Sequence, residues 1–240
     1  MHTEDIRYQA DGVSMVGHLA FDDQRAGQRP AVLVSHEGYG LDQHARGIAE
    51  KLAALGYIAF ALDYLGDGKP PPPEQLRKRM GVLAGDPGLI ARIAQAGLDV
   101  LLGQPAADAD RVAAIGYCFG GIVSLELART GADLKAVVGF HPGFTPPRPA
   151  DSAKIRASVL MCCGTEDPFA TPEDRLAFEA EMREARVADW RLELYGGVKH
   201  SFTNPAADEL GMPGFGYDAD ADRRSWSAML DLFGRVLGPP

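Results

Sequence analysis

The sequence predicts an α/β fold: a mostly parallel sheet with helices on both faces. Two observations carry this expectation. Short apolar runs alternate with longer helical patterns along the chain, the signature of successive βαβ units. Several runs are apolar at consecutive positions, as in strands buried on both faces. No internal repeat or composition shift marks a boundary, so the chain reads as one domain, 1–240.

The elements follow in order. Asp11-Gly12 is a hairpin-type turn signal, and 13–21 is a strand rich in apolar residues. A polar loop, 24–30, leads to the apolar run 31–34. A helix pattern over 42–55 puts Ile48, Leu52 and Leu55 on one face and stops at Gly56. The next strand is 57–62. The loop 63–73 ends in four prolines, which hold it extended, and it reads as a surface excursion. Helices are expected at 74–83 and 87–102, a strand at 111–115, a helix at 119–129 and strands at 134–140 and 157–162. A helix at 172–186 has proline at its first turn. The last strand is 190–195, and an amphipathic helix at 221–236 closes the chain.

Composition excludes several functions. The formal charge of −9 argues against nucleic acid, whose phosphates require clustered Lys and Arg. Three cysteines cannot all pair within one chain, so a disulfide framework is not expected. The opening Met1-His2-Thr3-Glu4-Asp5 lacks the pattern of a signal peptide, and no run approaches about 18 apolar residues, so no membrane span is read. The expected setting is reducing and cytoplasmic, as a monomer or homodimer.

The most informative segment is Ile115-Gly116-Tyr117-Cys118-Phe119-Gly120-Gly121. It reads strand, sharp turn, helix, with glycines two before and two after Cys118. This is the G-x-S-x-G elbow with cysteine for serine. The small flanking residues let strand and helix approach, and the central side chain is pushed out above the sheet. The helix N-terminus favours a thiolate there, and the N–H of Phe119 points where an oxyanion would form. A lone buried cysteine is more often inert, so the partners decide the reading.

Those partners follow in the hydrolase order of nucleophile, acid, histidine. Gly164-Thr165-Glu166-Asp167-Pro168 follows one strand, and Gly196-Gly197-Val198-Lys199-His200-Ser201-Phe202 follows the last. Either Glu166 or Asp167 could orient His200; the following Pro168 favours Asp167. The loop His36-Glu37-Gly38-Tyr39-Gly40 follows another strand. Gly38 is the candidate for a second oxyanion N–H, and Glu37 is placed where its carboxylate could meet the thiol and raise its pKa. His36 and His141 read as structural or rim residues. Cys162 and Cys163 lack the spacing and histidine company of a zinc site and read as strand residues. No metal is expected.

Taken together, the Gly116–Gly121 elbow, His36-Glu37, Asp167 and His200-Ser201-Phe202 resemble the dienelactone hydrolase family of α/β-hydrolase enzymes. The resemblance runs from Gly12 to the last helix. It implies Cys118 as nucleophile, His200 as base, Asp167 as its orienter, Glu37 as the acid controlling the thiol, and the N–H groups of Phe119 and Gly38 as oxyanion hole. It also implies hydrolysis of an enol-lactone or a related small ester without metal or organic cofactor. An arginine four residues past the histidine holds the substrate carboxylate in well-known members; here that position is Asn204, leaving Arg77 and Arg79 as candidate anion holders. The alternatives are another carboxylester or thioester as substrate, or a non-catalytic ligand-binding or thiol-sensing protein.

Overall fold

The structure, a computed structural model, describes residues 1–240. One eight-stranded sheet runs through it: β1 (His2–Ala10), β2 (Val13–Phe21), β3 (Arg29–Ser35), β4 (Ile58–Leu62), β5 (Ala107–Tyr117), β6 (Ala136–Phe140), β7 (Ser158–Gly164) and β8 (Trp190–Tyr195). Their spatial order is β1-β2-β4-β3-β5-β6-β7-β8. The β1–β2 hairpin turns at Asp11 and Gly12, both with positive φ, as a twisted two-residue turn requires. It joins the sheet antiparallel to β4; every pairing from β4 onward is parallel.

The wholly apolar runs occupy the centre. Every residue of β3, β4 and β6 is buried. Period-two alternation splits them between two cores. Ala31, Leu33, Phe60 and Leu62 face one side, with apolar residues of α3 (Pro87–Leu102), α4 (Phe119–Arg129) and α6 (Pro172–Glu184). Val32, Val34, Ala59 and Ala61 face the other, with α1 (Gln43–Ala54) and α7 (Ala219–Val236). Helices therefore cover both faces, as the consecutive apolar positions predict.

Local signals set the helix ends. Asp42 caps α1 by accepting from Ala45 N (3.0 Å), Asp86 caps α3 ahead of Pro87, and Thr171 with Asp174 forms a capping box on α6. Helix α2 (Pro73–Gly85) begins within the proline run, and a short α5 (Pro149–Ser152) and a 3₁₀ turn over Pro205–Leu210 complete the chain. Neither of the last two carries a periodic apolar pattern, so neither was legible in advance. Strand β5 starts four residues earlier than expected, because Ala107 and Asp108 pair with Arg29 and Pro30 before a register shift. No helix is long and apolar enough to cross a membrane.

The loop after β4 corrects the expectation of a surface excursion in its first half only; Asp67 and residues 69–73 lie at the surface. Asp63, Tyr64, Leu65 and Gly66 are buried. The Asp63 carboxylate makes this possible. It accepts from the N–H groups of Val16, Leu65, Gly66 and Gly68 at 2.8–3.2 Å, so a buried turn keeps its backbone donors satisfied.

Candidate active site

Five loops leave the carboxyl ends of parallel strands and converge there, as expected for an open α/β sheet. They carry Glu37 after β3, Cys118 after β5, His141 after β6, Asp167 after β7 and His200 after β8.

Cys118 sits between β5 and α4 with φ 55° and ψ −120°, a conformation that non-glycine residues avoid. The flanking glycines make it possible. A Cβ on Gly116 would lie 1.9 Å from the Gly120 carbonyl oxygen, and one on Gly120 would lie 2.3 Å from that of Ser35. Cys118 N donates to Phe140 O (3.0 Å), which holds the turn against β6. The residue caps the N-terminus of α4 and is partly exposed. The other two cysteines differ from it: burial pushes the Cys162 thiol up to about 12 and the Cys163 thiol well above its usual range.

His200 donates from Nδ1 to Asp167 Oδ2 (2.8 Å), with both side chains fully buried. Asp167 Oδ1 accepts from Phe169 N (2.8 Å). Glu166, the other acid of that loop, is exposed and turned away. The loops of Asp167 and His200 are zipped together by Thr165 N to Tyr195 O (3.0 Å), Glu166 N to Val198 O (2.9 Å) and Gly197 N to Thr165 Oγ1 (2.8 Å). Gly164 permits this approach, since a Cβ there would meet Val198 O at 2.2 Å.

The other imidazole nitrogen, Nε2, is buried and has no hydrogen-bond partner in the fold; His200 and Cys118 line the same pocket. Burial pulls the His200 pKa down, but the Asp167 hydrogen bond and the Cys118 sulfur outweigh it and raise the pKa to about 10. The rings of Phe169, Phe215 and His141 stand edge-on to the imidazole at 4.9–5.1 Å. They fix its plane.

Glu37 is buried, and its carboxylate points into the His200 loop. Oε1 accepts from Ser201 Oγ (2.7 Å) and Oε2 from Asn204 Nδ2 (2.6 Å). It makes no hydrogen bond to Cys118. The backbone before it is clamped by Tyr64, whose hydroxyl donates to both His36 O (2.8 Å) and Glu37 O (2.9 Å). His36 stacks on the Tyr64 ring at 3.7 Å and donates from Nδ1 to Glu37 O. Burial lowers its pKa, so it serves the loop as a neutral support. His141, with φ 40°, is bonded through Nε2 to Thr203 Oγ1 (2.8 Å); burial first, and the neighbouring His200 second, push its pKa well down. Tyr64 and Thr203 were not singled out from the sequence, and neither Ser201 nor Asn204 was read there as a partner of Glu37. Their partners lie 27 to 167 positions away, beyond any local spacing.

Above Cys118 lies a pocket of ≈ 380 Å³. Its walls are nearly all apolar: Leu76, Met80, Ile122, Phe169, Met212 and Phe215 are the main contributors, and Arg77 is its one cationic side chain besides the imidazole. Arg79, two residues on, does not reach this pocket. The N–H of Gly38 faces no acceptor within the fold, and that of Phe119, as the first of α4, has no preceding turn to donate to.

The model of the dienelactone hydrolase family matches residues 16–237. A solved structure named m3DLH is 47% identical over 98% of both chains, with a TM-score of 0.94. A solved dienelactone hydrolase-like promiscuous phosphotriesterase from metagenomic libraries is 41% identical over 99% of both chains, also at 0.94. An uncharacterized protein of Caenorhabditis elegans is 35% identical over 58% of this chain and 88% of its own length.

Proposed function

Because this chain belongs to the dienelactone hydrolase family and is a hydrolase acting on ester bonds, we propose that it opens a lactone or small ester through an acyl-enzyme on Cys118. The observation that carries this reading is the Asp167–His200 pair with His200 and Cys118 lining one apolar pocket.

In the proposed sequence, Cys118 Sγ attacks the carbonyl carbon, and the oxygen becomes an oxyanion facing the N–H groups of Phe119 and Gly38. The carbon–oxygen bond to the leaving group breaks, and His200 gives that oxygen its proton. The product is a thioester. His200 then takes a proton from water, the hydroxide cleaves the thioester, and the acid leaves as Cys118 is restored. Asp167 holds the imidazole with Nε2 toward the sulfur and stabilises its protonated form. Each oxyanion donor is expected to contribute about 10²–10³ in rate.

Glu37 is assigned a positioning role. Its carboxyl group is anchored on Ser201 and Asn204, so it ties the loop bearing Gly38 to the loop bearing His200. The residues of the site supply nucleophile, base and oxyanion donors without a metal or cofactor. Three free thiols fit a reducing compartment such as the cytoplasm.

With asparagine at 204 and apolar walls, the pocket suits a substrate that is uncharged around the reacting carbonyl, with Arg77 at its edge as the one fixed cation. The same features favour a second reading: a neutral phosphotriester, as in the name of the 41%-identical relative. There Cys118 would form an S–P bond as the aryloxide leaves, and water would then cleave it.

The test is a panel of p-nitrophenyl acetate, a five-membered enol-lactone and a diethyl p-nitrophenyl phosphotriester, with mass spectrometry of the quenched enzyme. Carboxyl turnover with an acyl adduct on the peptide containing Cys118 supports the reading. Full activity in Cys118→Ala would overturn it.

A further inference from the structure

A second cavity, ≈ 590 Å³ against ≈ 380 Å³ for the catalytic pocket, lies on the far side of α2 between that helix, α3 and the β1–β2 hairpin. We propose that it is a binding site for an amphiphilic carboxylate, an unbranched apolar chain with one anionic head. The inference is independent of the chemistry at Cys118.

The floor is apolar. Met15, Leu83 and Ile93 line it, each at most 4% exposed. At the rim Val82 is 54% exposed, an apolar side chain facing water beside an open cavity of small-molecule size.

The head-group end is cationic. Lys78 and Arg79 line the cavity, and neither forms an ion pair or hydrogen bond in the fold. The one acid of the lining is Asp11, already bonded to Arg92 Nε at 2.9 Å. Arg79 Nη1 is buried with no acceptor. Its guanidinium lies against Gly66, where a Cβ would come within 2.7 Å of Nη1; Gly66 has φ +92° and leaves the space the guanidinium occupies. A buried guanidinium N–H without a partner is unfavourable, and a carboxylate offers the planar acceptor it fits. In a chain of net charge −9, two adjacent cations that no acid pairs with, beside an apolar floor, select an anionic head and an apolar tail together.

The site is separate from the catalytic pocket because α2 stands between them. At 100° per residue, Leu76, Arg77 and Met80 fall on one face and line the catalytic pocket, while Lys78, Arg79, Val82 and Leu83 fall on the other and line this cavity. The two candidate anion-holding arginines thus serve different cavities.

Isothermal titration of the full chain with sodium decanoate tests the proposal, with 1-decanol and decyltrimethylammonium as controls. Decanoate is expected to bind one-to-one with Kd below 1 mM, at least tenfold tighter than either control. Arg79→Gln is expected to weaken it at least tenfold while leaving p-nitrophenyl acetate hydrolysis within twofold of the parent, which also reports that the variant is folded. Val82→Glu, a surface change, places a negative charge at the rim and is expected to weaken decanoate at least fivefold. Cys118→Ala is expected to bind decanoate as the parent does. No saturable binding at 1 mM, equal binding of decanol, undiminished affinity in Arg79→Gln, or loss of binding in Cys118→Ala would each overturn the proposal.

Discussion

Asn204 donates to Glu37 across 2.6 Å, joining the loop after β3 to the loop after β8 over 167 residues. With Ser201 on the other oxygen, both acceptors of a buried carboxylate are taken by neutral donors from the loop that carries His200. The carboxyl group therefore acts as a staple whose strength depends on these two hydrogen bonds.

The staple predicts that Asn204→Ala destabilises the fold by about 1–3 kcal/mol, the usual penalty for leaving a buried acceptor short of a partner. Urea denaturation measures it. Asn204→Asp, which sets a second acid against Glu37, is expected to lose more than the alanine variant.

Cys118→Ala is expected to lower p-nitrophenyl acetate turnover at least about 10³-fold while leaving the folded chain's far-ultraviolet spectrum unchanged, because alanine removes no packed core group. Circular dichroism beside the rate assay checks both halves.

Gly120→Ala puts a methyl group 2.3 Å from the Ser35 carbonyl oxygen, a backbone atom of the central strand. Neither partner can yield, so the substitution is expected to cost about 3 kcal/mol or more. It should also move Cys118 and reduce turnover. Thermal denaturation decides it: a melting point within 2 °C (about 0.5 kcal/mol for a chain of this size) contradicts the packing argument.

Asp167→Asn keeps the size of the side chain but removes its charge. Turnover is expected to fall by about 10²–10⁴-fold, and the His200 pKa to drop from about 10. Cys118→Ala is expected to lower the same pKa, since the sulfur also raises it. Imidazole proton resonances across a pH titration read both shifts.

The raised His200 pKa also sets a stability profile. The folded value, about 10, exceeds the unfolded value of about 6.5, so the native state holds this proton more tightly. Its stabilising contribution is full below pH about 6.5, declines as pH rises and is gone above about 10. The gap in melting temperature between the parent and Asp167→Asn should therefore be widest near pH 6 and shrink toward pH 10. A gap that stays flat or widens with pH would contradict the assignment.

Much of this site was legible in the chain. Gly116 and Gly120 around Cys118 announce the turn by their spacing; the contact at Gly116 is local, with the Gly120 carbonyl, whereas the one at Gly120 is with the distant Ser35 carbonyl. The order of Cys118, Asp167 and His200, each just past an apolar run, places them on one edge of a parallel sheet, because all such runs point the same way. The partners of Glu37 were not legible. Nothing in the spacing of residues 37, 201 and 204 says that their side chains meet, and an expected contact with the thiol left open which group would hold the carboxylate.

By itself the sequence determined the alternation of strands and helices, the burial of the central runs and the elbow at Cys118, since these depend on period, local sterics and chain order. The tertiary structure alone decided that Asp167 rather than Glu166 meets His200, that Asn204 and Ser201 hold Glu37, that Asp63 folds its loop inward, and that Arg77 and Arg79 face different cavities. The reason is the same in each case. The direction of a side chain on a loop or helix is set by what packs against it from a distant part of the chain, and that partner is known only once the loops have closed over the sheet.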